Sequence, residues 1–191
     1  MSVTPEFIAK SRALAFYRKF KTRRARRAGT IYCDSSAPFG WKKLGAGAFG
    51  EAWEHADHPG YVVKISGRAG FGTNTLTCEE PSLDGWPTFA QHCQAHPHPN
   101  LPKIMHLERL SVGFSFGIMP YYKTIDPGSG AAIADKWSNY LEGGRGAPAW
   151  MWPIIGMRGA LGMWVDLHSG NVMRDAFTGE YIMTDPFSGV E

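Results

Sequence analysis

"WVDLHSGNVMRDAFTGEYIMTDPFSG", residues 164–189, sets three polar groups at fixed intervals: Asp166 stands five residues before Asn171, and Asn171 fourteen before Asp185. Between them "VMRDAFTGEYIM" has the turn residues and flanking apolar positions of a β-hairpin. Transfer of a phosphoryl group from a nucleotide needs one carboxylate beside the acceptor hydroxyl, and an amide plus a second carboxylate on Mg²⁺. A loop and the hairpin after it would supply all three from one continuous segment.

Upstream, "YVVKIS" puts Lys64 in a strand-like run fourteen residues past Gly50, where a strand would aim its ammonium at phosphates. Those phosphates would lie in "LGAGAFGEAW", residues 44–53, whose Gly45, Gly47 and Gly50 form a glycine-rich turn. Taken alone the glycines say little, because 23 of the 191 residues are Gly and a tight hairpin explains them as well. Lys64, Asp166, Asn171 and Asp185 following in order turn the match into a phosphate-holding pattern.

The rest of the chain is read around these motifs. Phe7, Ile8, Leu14, Phe16, Tyr17 and Phe20 among good helix formers predict an amphipathic helix over 5–28 that becomes purely basic at "KTRRARRAG". Residues 41–65 read as an antiparallel meander of three strands with the glycines at the first hairpin. The Gly-, Thr- and Ser-rich stretch 67–84 reads as a loop, and a short helix over 86–95 ends at "HPHPNLP", where prolines forbid continuation. Strands are expected at 103–107 and 112–119, a helix at 131–141, and a buried helix over 149–164, apolar almost all round, with Trp150, Trp152 and Trp164 in its core.

Composition bounds the reading. A chain of this length with 43% hydrophobic residues can bury a real core. The net charge of +3 is uneven, since residues 1–29 carry nine Lys and Arg against the single acid Glu6. Such an arm is expected either to lie on the protein as a solvated helix face, or to dock an acidic protein or nucleic acid through salt-sensitive contacts. Cys33, Cys78 and Cys93 are odd in number with no C-x-x-C pair, which suggests neither a disulfide framework nor a cysteine zinc site. "QHCQAHPHP" fits no common zinc spacing. With no signal-like or membrane-length apolar run, the expectation is a cytoplasmic protein without membrane contact.

The motifs "LGAGAFGEAW", "VVKI", "DLHSGNVM" and "YIMTDPFS" resemble the protein kinase superfamily, and more closely the early seryl-threonyl protein kinases of T-odd short-tailed bacteriophages. The resemblance implies an α+β, minimal two-lobed kinase fold with an antiparallel β N-lobe and a truncated, mainly helical C-lobe. The division it suggests is a basic helix over 1–30, an N-lobe and hinge over 31–122, and a C-lobe over 123–191. It implies ATP and Mg²⁺ as cosubstrates, serine or threonine of host proteins as acceptors, action in the host cytoplasm during phage takeover, and self-modification as a further outcome. Gly45, Gly47 and Gly50 would admit the triphosphate, Lys64 would pair with its α- and β-phosphates, Asp166 would orient the hydroxyl, and Asn171 and Asp185 would bind Mg²⁺. The adenine would meet the Pro120 carbonyl and the Tyr122 N–H, with Met119 behind.

The chain also departs from the family. H-R-D is Trp164-Val165-Asp166, without the arginine that couples catalysis to a phosphorylated loop, and D-F-G is Asp185-Pro186-Phe187, whose proline stiffens the motif; both imply an enzyme that is constitutively on. The acid that pairs with Lys64 is left open among Glu79, Glu80 and Asp84. Six residues follow Asp185 where the family builds its peptide platform, so either the substrate is docked by other means or the chain is a fragment. "DLHSGN" with His168 also suits a small-molecule, aminoglycoside-kinase-like phosphotransferase, and a non-catalytic pseudokinase binding a host factor is the rival from another class.

Overall fold

The computed structural model describes residues 3–27, 37–47, 49–67, 84–111 and 113–189, with 22–27 as backbone only. Most of the loop expected over 67–84 lies outside the described residues, and Glu79, Glu80, Cys33 and Cys78 with it.

The fold is α+β. Helix α1 (Pro5–Arg27) begins where the Thr4 hydroxyl accepts the Phe7 N–H at 3.2 Å and Pro5 occupies the first turn. Strands β1 (Trp41–Ala46), β2 (Gly50–His55) and β3 (Tyr61–Ser66) form the expected meander, followed by helix α2 (Trp86–Ala95). Strands β4 (His106–Ser111) and β5 (Phe114–Pro120) complete a five-stranded antiparallel sheet of order β1-β2-β3-β5-β4. The predicted strand at 103–107 begins three residues later and runs to Ser111.

Alternation along the strands gives the sheet two faces, one covered by α1 and the other turned toward α2 and a cavity. Trp53, Val63, Ile65, Phe116 and Ile118 pack under Phe7, Leu14 and Ala15 of α1. The helix thus lies on the protein, one of the two arrangements its basic composition allowed: Lys10 pairs with Glu6 and Asp57, Arg12 with Glu108, and Arg18 with Glu51, while Lys19 bonds Ser111. Among the described side chains, these four cations are engaged by the protein itself, and so is Lys21, which lies over the Tyr17 ring. The other sheet face turns toward Trp86 of α2, whose ring leaves no room for a side chain at 117; a Cβ on Gly117 would stand 2.7 Å from Trp86 Cη2.

The second half of the chain is mainly helical. After the short β6 (Lys123–Thr124), helix α3 (Pro127–Gly143) is capped by Asp126, which accepts the Ser129 N–H at 2.8 Å. It stops at Gly144, whose φ of 65° suits glycine. A 3₁₀ turn (Ala149–Met151) leads into α4 (Trp152–Leu161). Three short antiparallel pairings close the fold: β7 (Trp164–Val165) with β10 (Phe187–Ser188), and β8 (Val172–Arg174) with β6 and with β9 (Tyr181–Met183). Trp86, Phe89, Leu141, Met151, Ile154, Val172, Met183 and Phe187 share one core.

The helix expected to be buried all round is half-exposed. Met151 and Ile154 face the core, but Trp152 is 53% and Trp164 67% exposed. Trp150 is partly covered, stacking on His98 at 4.8 Å. Apolar periodicity shows that a helix has a face to bury, and α4 is apolar beyond the one face that α3 and the core cover.

Phe7 joins the sheet core, whereas Phe16, also expected to pack, is 49% exposed. Phe7→Ala should therefore destabilise the protein by about 3–5 kcal/mol and Phe16→Ala by no more than about 0.5 kcal/mol, read by urea unfolding. Equal, small effects would show that α1 is not part of the fold.

Candidate active site

The Asp166–Asn171 loop is built by hydrogen bonds to the strand that follows the hairpin. Val165 pairs with Phe187, and the Asp166 N–H donates to the Pro186 carbonyl at 2.9 Å. Leu167 is buried and anchors the loop, its carbonyl accepting the Ser138 hydroxyl at 3.2 Å. The His168 ring accepts the Gly170 N–H on Nδ1 at 3.1 Å, and a Cβ on Gly170 would lie 2.8 Å from the same ring. His168 thus braces the loop. The Asn171 side-chain amide donates to the Asp166 carbonyl at 2.7 Å, and the Asn171 carbonyl accepts both the N–H and the hydroxyl of Thr184, at 2.9 and 3.0 Å. Asp166, Asn171 and the residue before Asp185 are thereby one bonded unit.

Lys64 comes from the sheet. It lies opposite Ala52 and Gly117, so small neighbours on both flanking strands leave room for its stem. Its ammonium forms an ion pair with Asp185 Oδ2 and sits 4.9 Å from the centroid of the Trp86 ring, a cation–π contact. Of the three acids left open as its partner, only Asp84 falls among the described residues. Asp84 Oδ1 accepts the Trp86 N–H at 3.0 Å, while its Oδ2 is buried without a hydrogen bond of ordinary geometry among the described residues. Burial first, and then the charge of Asp185, push the Asp84 pKa up to about 6; Lys64, the Trp86 N–H and the Ser66 hydroxyl oppose the rise. Lys64 therefore bonds Asp185 directly and acts on Asp84 through its field.

One cavity of about 480 Å³ joins these parts. Gly45, Gly47 and Gly50 roof it, Lys64, Asp166, Asn171 and Asp185 line its polar end, and Met119, Pro120 and Tyr122 close the other. All ten residues singled out from the sequence lie in its wall, and so do Asp84 and His168. Val62 and Met173, which sequence reading passed over, are apolar walls; their signal was alternation, since each stands two positions from Lys64 or Asn171. Trp86 carried no comparable signal, because only folding brings its ring under Lys64.

At the strand end, the Tyr121 N–H donates to the Gly60 carbonyl at 2.7 Å. The Tyr122 ring turns inward, its hydroxyl accepts the Lys103 N–H at 2.8 Å, and burial pushes its pKa up to about 12. Partial desolvation also raises Asp166, with His168 opposing and Asp185 adding to the shift.

The residues fit a divalent cation and a polyphosphate. Asp185 Oδ1 is buried with no hydrogen-bond partner among the described residues. The Asn171 amide N–H is already engaged, which leaves its oxygen as a donor atom; hard oxygen donors of this kind suit Mg²⁺. A Cβ at Gly45 or Gly47 would meet nothing within 4 Å, so the roof is open on that side, whereas one on Gly50 would stand 2.9 Å from the Ile65 carbonyl.

No protein-family model matches the sequence. No curated protein matches it either. Solved structures with a similar arrangement include the PpkA-294 apo form, at 12% identity and a TM-score of 0.42, and the Mycobacterium tuberculosis PknI kinase domain, at 16% and 0.37. Each match covers 80% of this chain and 62% of the other. The Cydia pomonella granulovirus kinase PK-1 is similar at 12% identity and a TM-score of 0.37, over 87% of this chain and 57% of that one. The chain spans about three fifths of the length of these structures.

Asp84 makes stability depend on pH. Between its unfolded pKa of 3.8 and its folded value of about 6, the folded protein holds a proton that the unfolded chain has released, so stability falls as pH rises through that window. Asp84→Asn removes this contribution. The difference in melting temperature between wild type and Asp84→Asn should shift in favour of the variant from pH 4 to pH 6 and then level off; a constant difference would contradict the burial of an ionisable Asp84.

Proposed function

We propose that the chain is an ATP-dependent protein kinase of the phage seryl-threonyl type, acting on host proteins in the host cytoplasm and on itself. The observation that carries this reading is the convergence of a glycine turn, a strand lysine and the Asp166, Asn171 and Asp185 groups, from separate parts of the chain, around a single cavity. The division into a basic helix, an N-lobe ending at the hinge and a C-lobe is proposed with it.

In this reading the backbone N–H groups of the glycine turn and the Lys64 ammonium hold the triphosphate, with the adenine against Met119, Pro120 and Tyr122. Asn171 and Asp185 hold Mg²⁺, which when bound neutralises charge on the transferring phosphoryl group. Asp185 can do this while bonded to Lys64, because the ion pair uses Oδ2 and leaves Oδ1 open. Asp166, its backbone fixed by the Pro186 carbonyl, receives the proton of the attacking hydroxyl and keeps that oxygen in line with the γ-phosphorus. Catalysis then rests on positioning and charge rather than on a covalent intermediate. The basic end of α1, residues 21–27, is the proposed dock for an acidic protein or nucleic acid.

A second reading, a small-molecule phosphotransferase, is favoured by His168 on the cavity wall beside Asp166. The two separate in one assay: Mg²⁺-dependent transfer from γ-labelled ATP into the protein itself, a bacterial lysate, generic protein substrates and amino sugars. Label is expected in protein, with Asp166→Ala slowing transfer by about 10²–10⁴-fold and Asp185→Asn abolishing it. Label in amino sugars alone would favour the second reading, and nucleotide binding without transfer would favour a pseudokinase.

A further inference from the structure

Three charged tethers bind α1 to the sheet, and they are not equivalent. Lys10 reaches Glu6 and Asp57, and Arg12 holds Glu108 through two bonds of 2.7 and 2.8 Å, all at the surface. The third is buried. The side chains of Arg18 and Glu51 are each 1% exposed, bonded Nε to Oε2 at 2.8 Å and Nη2 to Oε1 at 2.6 Å. Lys43 Nζ adds a bond to Oε1 at 2.9 Å, and the Trp53 indole N–H one to Oε2 at 3.2 Å. Each carboxylate oxygen therefore has two donors.

A buried ion pair is seldom the cheapest way to stabilise a core, because desolvation offsets most of the attraction. What this one does is fix a position. Glu51 directly follows Gly50, and its neighbour across β3 is Ile65, beside Lys64. Lys43 lies on β1, the outer strand leading into Gly45 and Gly47. That strand is anchored by Trp41, which stacks on Phe7, but beyond it is mostly exposed, and its pairing with β2 shifts register between Lys43 and Gly45, so little apolar packing holds the end nearer the glycine turn. The Arg18–Glu51–Lys43 network grips both strands of the glycine turn from the face opposite Lys64.

We propose that Arg18 is a positioning residue for nucleotide binding: through Glu51 and Lys43 it holds the glycine turn where its N–H groups meet phosphates. The proposal rests on the phosphate-holding reading of that turn. A helix residue thirty-two positions upstream of Gly50 in the sequence thus sets the affinity of the cavity without touching the nucleotide.

The test is titration with a fluorescent ATP analogue and Mg²⁺, with folding checked by circular dichroism, on the wild type, Arg18→Met, Arg18→Lys and the surface control Arg12→Met. Arg18→Met should raise the nucleotide dissociation constant, and the KM for ATP, about tenfold or more with kcat within about twofold, while Arg12→Met changes neither. Arg18→Lys, which keeps the charge but loses the fork, should fall between. If Arg18→Met does not fold, Arg18→Met/Glu51→Gln, which leaves no uncompensated carboxylate, is read in the same way. Folded Arg18 variants binding with wild-type affinity would overturn the proposal alone; a wild type that binds no nucleotide would overturn the phosphate-holding reading and the proposal together.

Discussion

One ammonium faces three carboxylates across the cavity: Lys64 against Asp84, Asp166 and Asp185. Like charges in a partly desolvated space cannot all remain ionised without compensation. Lys64 commits to Asp185, and Asp84, buried and left with the weaker share of its field, is pushed toward the protonated form. The same imbalance leaves an open, buried oxygen on Asp185, which is the electrostatic condition for a divalent cation. Placing these groups is the work of the surrounding fold. The sheet presents Lys64, the β7–β10 pairing presents Asp166 beside Asp185, and Trp86 lies with its ring beneath the ammonium and its backbone N–H on Asp84.

That arrangement depends on a sheet that cannot shift. A five-stranded antiparallel sheet with one open face would leave Trp53, Val63, Phe116 and Ile118 in water; α1 covers them. The basic character of α1 conceals this role. The sequence left Lys10, Arg12, Arg18 and Lys19 open between a face lying on the protein and a polyanion-binding arm; in the fold they meet Asp57, Glu108, Glu51 and Ser111. A cluster of like charge in a sequence does not reveal which opposite charges the fold will carry to it.

Helices α4 and α1 show the converse. For the stretch 149–164 the apolar pattern was legible but its depth was not: the helix ends at Leu161, and Trp152 in it and Trp164 on β7 stand in the open although their neighbours Met151 and Met163 are buried. For α1, Phe7 and Phe16 look alike on paper, and only the register of the helix against the sheet sends one inward. Periodicity states that a face exists, and packing decides which residues lie on it.

The sequence by itself singled out residues that the fold gathers around one cavity, because spacing along a chain is a local property: the glycine turn, Lys64, Asp166, Asn171, Asp185 and the strand end at Met119, Pro120 and Tyr122 all line it. It also determined the meander, α2 and the hairpin, whose turns and caps are local too. Only the tertiary structure decided which charges neutralise one another. Asp185 as the ion-pair partner of Lys64, the cation–π contact with Trp86, and the Arg18–Glu51 pair join residues 121, 22 and 33 positions apart. Such pairings follow from where the sheet, its covering helix and the loop come to rest, and that is settled by the burial of their apolar faces together rather than by any one segment.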